Sequence, residues 1–172
     1  MKTEQFEKTK SFINVELIQI LSEIEKRTTI NNQNNTISEM YCFNKLLINH
    51  IQNITERTYN CEVNQTNNYS ESDFYFTSTI FNLHSKNGFQ KIKSEIQNSK
   101  EGKLETLKEQ IKYLLFVNEE FPENIGANVT LPIKNISEVP LDLYQIIHLS
   151  ILHTKKKLLN SKNKLYSAQL IN

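Results

Sequence analysis

The stretch LDLYQIIHLSILHTKKKLLNSKNKL, residues 141–165, decides the fold class of this chain. Pro140 stands directly before it, where a helix can begin, and the stretch then predicts one long helix. The helix carries two histidines and a run of lysines. It could be a nucleic-acid-binding arm, half of a metal site or the last helix of a bundle, and the residues around it favour the third interpretation.

Composition supports an all-α chain. The 172 residues include only three Gly and three Pro, whereas strands joined by tight turns normally need more of both. One domain of this length can be served by one core, so we expect residues 1–172 to form a single domain.

Three further stretches carry apolar residues at three- and four-residue steps, the spacing of an amphipathic helix. They lie at about 3–26, about 37–58 and 101–121. A capping box predicts the start of the second, with Thr36 as N-cap and Glu39 at the third helical position. The apolar positions are Phe6, Ile13, Leu17, Ile20, Leu21 and Ile24, then Phe43, Leu46, Leu47, Ile51 and Ile54, then Leu104, Leu107, Ile111, Leu114 and Leu115.

The connections are polar or contain proline. All three prolines lie in the segment 121–140, which predicts an ordered crossover over the bundle, with a short extended piece near 127–133. The segment 59–72 is typical of a loop, and 72–84 is ambiguous between strand and helix, with helix favoured. We therefore predict an all-α four-helix bundle with a long Pro-containing crossover before the last helix, not necessarily of simple up-and-down order.

Charge and cysteines limit the classes of partner. A net charge of +1 predicts no general attraction to nucleic acid or to anionic membranes. The start MKTEQFEKTKSF has no apolar run of a signal peptide, and no stretch is apolar enough to span a membrane. We expect a cytoplasmic protein in which both cysteines are free thiols.

The lysines of the last helix surround its axis. At about 100° per residue, Lys155 and Lys157 point to different sides. A helix that reads a groove of DNA concentrates basic residues on one face and usually adds Arg, which this helix lacks. Nucleic-acid binding is therefore disfavoured, although no Asp or Glu follows Asp142.

The histidines allow one sharper hypothesis. His50 lies among the apolar residues of the second helix and is expected to point inward, where a hydrogen-bonded core histidine is the simpler interpretation and a metal ligand the sharper one. His148 and His153 are separated by about 140° on the last helix, so only one of them can belong to a shared site. One turn beyond His153, where a chelating partner would stand, the residue is Lys157, whose ammonium cannot donate a lone pair.

Two stretches carry a family resemblance. The segment VTLPIKNISEVPLDLYQIIHLSILHTKKKLLNSKNKL (129–165) resembles the last segment of the DinB-like (YfiT-like) four-helix-bundle proteins, in which two metal-binding histidines lie one turn apart. The segment NNTISEMYCFNKLLINHIQNI (34–54) is similar in pattern to that family's second helix, which supplies another histidine. The resemblance implies that His50 and His153 match metal ligands and that Lys157 replaces the third histidine.

The resemblance also implies a chemistry. Family members with all three histidines include metal-dependent thiol transferases, often homodimers, so an active chain would be an enzyme of this or a hydrolase type with Zn or Ni as cofactor. With Lys157 in place we expect an incomplete site that binds a small molecule or a weakly held divalent metal, in a pocket bounded by His50, His153 and the crossover. One hypothesis is that the Lys157 ammonium replaces the charge of the metal and holds an anionic ligand.

A function without chemistry is the alternative. Small helical proteins of this composition also include non-catalytic interaction proteins, such as toxin-neutralising (immunity-type) or regulatory partners. A ligand-sized pocket near His153 would favour the first function, and an exposed apolar patch would favour the second. Between Leu141 and Leu152 apolar residues cover most of the helix circumference, which predicts that either the crossover or a second subunit covers this helix. We favour a homodimer, which the resemblance also implies.

Overall fold

Four helices and one β-hairpin make up the part of the chain that the structure describes. The structure is a computed structural model, and it describes residues 2–26, 34–60, 104–120, 131–133 and 136–169. The elements are α1 (Lys2–Glu25), α2 (Asn34–Asn60), α3 (Leu104–Glu120), β1 (Leu131–Ile133), β2 (Ser137–Leu141) and α4 (Leu143–Gln169). The predicted all-α four-helix bundle is confirmed. The loop predicted at 59–72 is wrong for its first two residues, which belong to α2; the rest of it and the helix favoured at 72–84 lie outside the described residues.

The apolar stripes of the four helices meet in one core. Because residues three and four apart share a face of a helix, each stripe buries the positions that its spacing predicts. The residues with almost no exposed surface include Ile13, Leu17, Ile20 and Ile24 of α1, Phe43, Leu47 and Ile51 of α2, Leu107, Ile111 and Leu114 of α3, and Tyr144, Ile146, Ile147 and Leu149 of α4. Leu21, Leu46, Leu104 and Leu115 are partly buried and pack against this core.

Contacts between the helices give their order and direction. Both α1 and α2 pack against α3 and α4, which places α1 and α2 at diagonal corners of the bundle. Between α1 and α4, the residue numbers of contacting pairs increase in the same direction, as in Phe12 with His148 and Glu23 with Lys162. Between α2 and α4 they change in opposite directions, as in Asn44 with Ser150 and Glu39 with Lys157. The same holds between α1 and α3, as in Asn14 with Asn118 and Glu25 with Lys112. Helices α1 and α4 are therefore parallel, and α2 and α3 both run opposite to them.

The start of α2 differs from the prediction. The helix begins at Asn34, so Thr36 lies within its first turn and is not the N-cap. Glu39, the expected capping-box partner, instead forms an ion pair with Lys157 of α4. The Glu39 side chain, which the local sequence pattern predicts at the cap, therefore pairs with a residue that is distant in sequence.

The start of α4 also differs, because Pro140 belongs to a strand. Pro140 lies in β2, which pairs antiparallel with β1 with Leu131 opposite Leu141. An edge strand tolerates proline since one edge of it needs no backbone N–H. The expected extended piece is thus part of a hairpin, whose strand β1 contacts α2.

Asp142 and Gln145 form the capping box that starts α4. The backbone N–H of Gln145 donates to Asp142 Oδ1 at 2.8 Å, and the N–H of Asp142 donates to Gln145 Oε1 at 2.9 Å. Each side chain satisfies a backbone donor that has no partner inside the helix. The helix therefore begins two residues later than a start at Leu141 would place it, at Leu143.

The first third of α4 is buried on every side. All residues from Leu141 to Ile151 are buried within the single chain, so the apolar circumference that suggested a second subunit is accounted for without one. None of the described helices is both long enough and apolar enough to cross a membrane.

Candidate functional site

Lys157, the residue that replaces the third histidine of the resembled family, is paired with a carboxylate. Its ammonium donates to Glu39 Oε2 of α2. Both side chains are less than one-third exposed, at 28% for Lys157 and 21% for Glu39. The positive charge of Lys157, which is expected from the sequence to hold an anionic ligand, is therefore balanced by the Glu39 carboxylate of the neighbouring helix α2.

His153 lies flat on an aromatic ring of α2. Its imidazole stacks on Phe43 with the ring centroids 4.0 Å apart and an interplanar angle of 23°. Burial, together with the positive charges of Lys157 and Lys156, lowers the pKa of His153 to about 3. The imidazole is consequently neutral at pH 7, with only 6% of the residue exposed.

His50 is on the same helix as Phe43 but at a different level. It is half-buried at the edge of the apolar stripe, and burial lowers its pKa. Seven residues separate it from Phe43, which corresponds to about 10 Å along the helix axis. Since His153 stacks on Phe43, the contact of His153 with α2 and the position of His50 lie about two helical turns apart along α2.

A buried polar cluster between α2 and α4 was not among the predicted site residues. The Ser150 hydroxyl donates to Asn44 Oδ1 at 2.6 Å, and Thr154 follows Ser150 by one helical turn. All three residues have 0% exposure. The sequence held a signal for this cluster, because Asn44 stands beside Phe43 in an apolar stripe and Ser150 and Thr154 are spaced by four in the most apolar helix.

His148 and His153 face different neighbours, as their angular separation predicts. The ring of His148 contacts Phe12 of α1 edge-on, with centroids 6.0 Å apart. Burial lowers the pKa of His148 to about 4; the nearby Glu16 acts to raise it and Lys155 to lower it. Among the described residues, no group of three or more His, Cys, Asp or Glu side chains is placed to hold a metal ion.

Two more lysines of α4 form ion pairs with α1. Lys155 pairs with Glu16, and the Lys162 ammonium lies 2.8 Å and 3.0 Å from the two carboxylate oxygens of Glu23. With Lys157 and Glu39, these pairs connect α4 to both of its neighbours. The lysines that surround the helix axis in the sequence thus include three with defined carboxylate partners.

A concave cavity of about 640 Å³ lies between α1 and α4. Two of its lining residues, Ile18 and Leu159, are large apolar side chains that are 56% and 58% exposed. We call this cavity the α1–α4 groove, and it is lined by Ile18, Gln19, Ile20, Ser22, Glu23 and Lys26 of α1 and by Lys155, Leu158, Leu159 and Lys162 of α4. Neither His50 nor His153 lines it, so this cavity is distinct from the pocket that the sequence predicts.

Comparison of the chain with protein-family models, with curated proteins and with solved structures found no match. The fold and the groove define the class of protein. It is a four-helix bundle in which ion pairs connect α4 to α1 and α2, and it has an amphipathic groove between α1 and α4.

Proposed function

We propose that this chain is a non-catalytic helical binding protein and that the α1–α4 groove is its binding site. The observation that carries the proposal is the exposure of Ile18 and Leu159 in one concave cavity beside lysines. Single exposed apolar residues are common on protein surfaces. A cavity of about 640 Å³ that gathers two of them with charged groups has the size and the composition of a small-molecule site.

The surroundings of Lys157 support this choice over the site expected near His153. Its ammonium is paired with Glu39, and the His153 ring packs against Phe43. The side chains of Lys157 and His153 thus both contribute to the packing of α4 on α2. The groove residues Ile18 and Leu159, by contrast, expose apolar surface that a ligand can cover.

An uncharged fluorescent probe tests the proposal. N-phenyl-1-naphthylamine, which brightens in apolar surroundings, should bind the wild-type chain with saturation. Leu159→Glu places a charge in the groove and should weaken this binding by about tenfold or more, because it costs roughly 1–3 kcal/mol to bring an unpaired polar group into apolar contact.

Phe116→Glu is the matched control. Phe116 is 60% exposed on α3 and does not line the groove, so this variant should bind the probe as the wild-type chain does. Equal loss in both variants, or no saturable binding at all, would overturn the groove as the binding site.

A metal-dependent thiol transferase, as the resemblance implies, is the second candidate. Burial keeps the imidazole of His153 neutral at pH 7, and the neutral form is the one that binds a metal ion. Elemental analysis after dialysis with zinc or nickel would support this function if metal were bound near stoichiometry and lost in both His50→Ala and His153→Ala. His148→Ala, which removes a buried histidine facing α1, is the control and should retain the metal; loss of metal from none of the variants would refute this site.

A further inference from the structure

We infer that the α1–α4 groove takes a single-tailed amphiphile with an anionic headgroup, an inference that rests on the proposed binding function. The apolar half of the site is formed by Leu158, which is 6% exposed, and by Ile18 and Leu159, whose exposed side chains line the same cavity. An alkyl tail in contact with these side chains would remove apolar surface from water on both partners.

The charged half of the site is basic. Lys26, Lys155 and Lys162 line the groove against one carboxylate, that of Glu23. Lys155 is paired with Glu16 and Lys162 with Glu23, whereas Lys26 makes no ion pair within the described part of the chain. One positive charge is therefore in excess, and it favours an anionic headgroup over a cationic one.

Lys162 can also contribute to the headgroup. Its side chain is 44% exposed and that of Glu23 is 39% exposed. Ion pairs at such positions are screened by water and contribute little to stability. Lys162 can therefore turn from Glu23 towards a second anion at small cost.

The dimensions favour a small molecule over a polymer or a membrane surface. The lining residues of α1 run from Ile18 to Lys26, a length of about 12 Å at about 1.5 Å per residue. This length suits one medium alkyl chain with its headgroup. A membrane surface would need basic residues on a broad convex face, but these lysines border a concave cavity.

Displacement of N-phenyl-1-naphthylamine tests the charge preference. Decanoate, decyltrimethylammonium and decyl glucoside share one tail and differ in headgroup charge, and each is used as monomer below its micelle concentration. Decanoate should displace the probe at about three- to tenfold lower concentration than either of the others. The advantage should shrink in high salt, because exposed charges are screened.

Charge reversal locates the headgroup. Lys26→Glu and Lys162→Glu should each raise the decanoate concentration needed by about three- to tenfold and leave decyl glucoside unchanged. Lys156→Glu is the matched control, since Lys156 is an exposed lysine of the same helix that does not line the groove, and it should behave as wild type.

The outcomes separate the inference from the function on which it rests. Equal displacement of the probe by all three amphiphiles would overturn the preference for an anionic headgroup. So would flotation of the protein with phosphatidylglycerol vesicles when decanoate does not displace the probe. In either case, loss of probe binding in Leu159→Glu but not in Phe116→Glu would still support the groove as the binding site. Absence of probe binding to the wild-type chain would overturn both.

Discussion

His153 occupies a position where a charged ring would be costly. The imidazole stacks on Phe43 in a buried layer, and Lys156 and Lys157 place positive charge near it from the same helix. Desolvation and like charge both oppose protonation there. The residue that sequence pattern marks as a ligand thus serves in this structure as a flat, neutral packing group.

The first prediction concerns stability against pH. The pKa of His153 falls from 6.5 to about 3 on folding, so between these values the unfolded chain binds a proton that the folded chain does not. The contribution of His153 to the free energy of unfolding is therefore fully present above pH 6.5. It is lost as the pH falls towards 3, by at most about 1.4 kcal/mol per pH unit. Urea unfolding at pH 7, 6 and 5 should show a smaller loss of stability in His153→Phe than in wild type.

His148 provides a second arm of this experiment. Its pKa is lowered to about 4, so His148→Phe should also flatten the profile, over a window from pH 6.5 to about 4. Wild type and both variants share all other titrating groups. Parallel pH profiles for the three proteins would contradict the burial of neutral imidazoles.

The second prediction concerns the pair of Lys157 and Glu39. Lys157→Met leaves the Glu39 carboxylate half-buried without its partner and should lower the free energy of unfolding by about 1–2 kcal/mol. Adding Glu39→Met should restore most of that loss, because a pair replaced by apolar side chains leaves no uncompensated charge. Chemical denaturation of the four proteins of this double-mutant cycle measures the coupling.

The alternative role of Lys157 is distinguishable in the same variants. If its ammonium held an anionic ligand, Lys157→Met would lose affinity for that ligand, and Glu39→Met would not. A coupling energy near zero would show that the ion pair does not stabilise the fold.

At the scale of elements, the start of α4 is fixed by local hydrogen bonds. The third prediction is that Asp142→Ala removes the acceptor for the Gln145 N–H and costs about 1 kcal/mol of unfolding free energy. Asp142→Asn keeps a side-chain oxygen at the cap and should cost much less. Equal destabilisation by the two substitutions would indicate that the charge of Asp142, and not its acceptor, is what matters.

Sequence pattern predicts the helices well because their burial follows local spacing. The expected limits 3–26 and 37–58 lie within three residues of the observed helices Lys2–Glu25 and Asn34–Asn60. The errors have physical causes: Pro140 suits an edge strand as well as a helix start, and Glu39 pairs with a residue that lies far away in sequence. Such distant partners leave no trace in local periodicity.

The candidate site was harder to predict than the fold for the same reason. An apolar stripe locates His50 on its helix, but the level of His153 depends on how α4 is placed along α2. The α1–α4 groove depends on the placement of two helices that are distant in sequence, and its exposed Ile18 and Leu159 resemble ordinary surface residues when read along the chain.

At the scale of the whole molecule, the burial of α4 bears on assembly. Residues Leu141 to Ile151 are buried within one chain, so folding of this segment does not require a second copy. The fourth prediction is that the midpoint of urea unfolding does not change with protein concentration over a hundredfold range, as it would for an obligate dimer. A midpoint that rises with concentration would restore the homodimer expected from sequence.

The spacing of the ion pairs between α1 and α4 also matches one particular alignment of these parallel helices. Glu16 and Glu23 are one heptad apart, and so are their partners Lys155 and Lys162. A slip of α4 by one heptad would set Glu16 opposite Lys162 and Glu23 opposite Gln169, or Glu16 opposite His148 and Glu23 opposite Lys155. Either slip allows only one Glu–Lys pair, whereas the native alignment has two. The native register is therefore the one in which both carboxylates have a lysine partner.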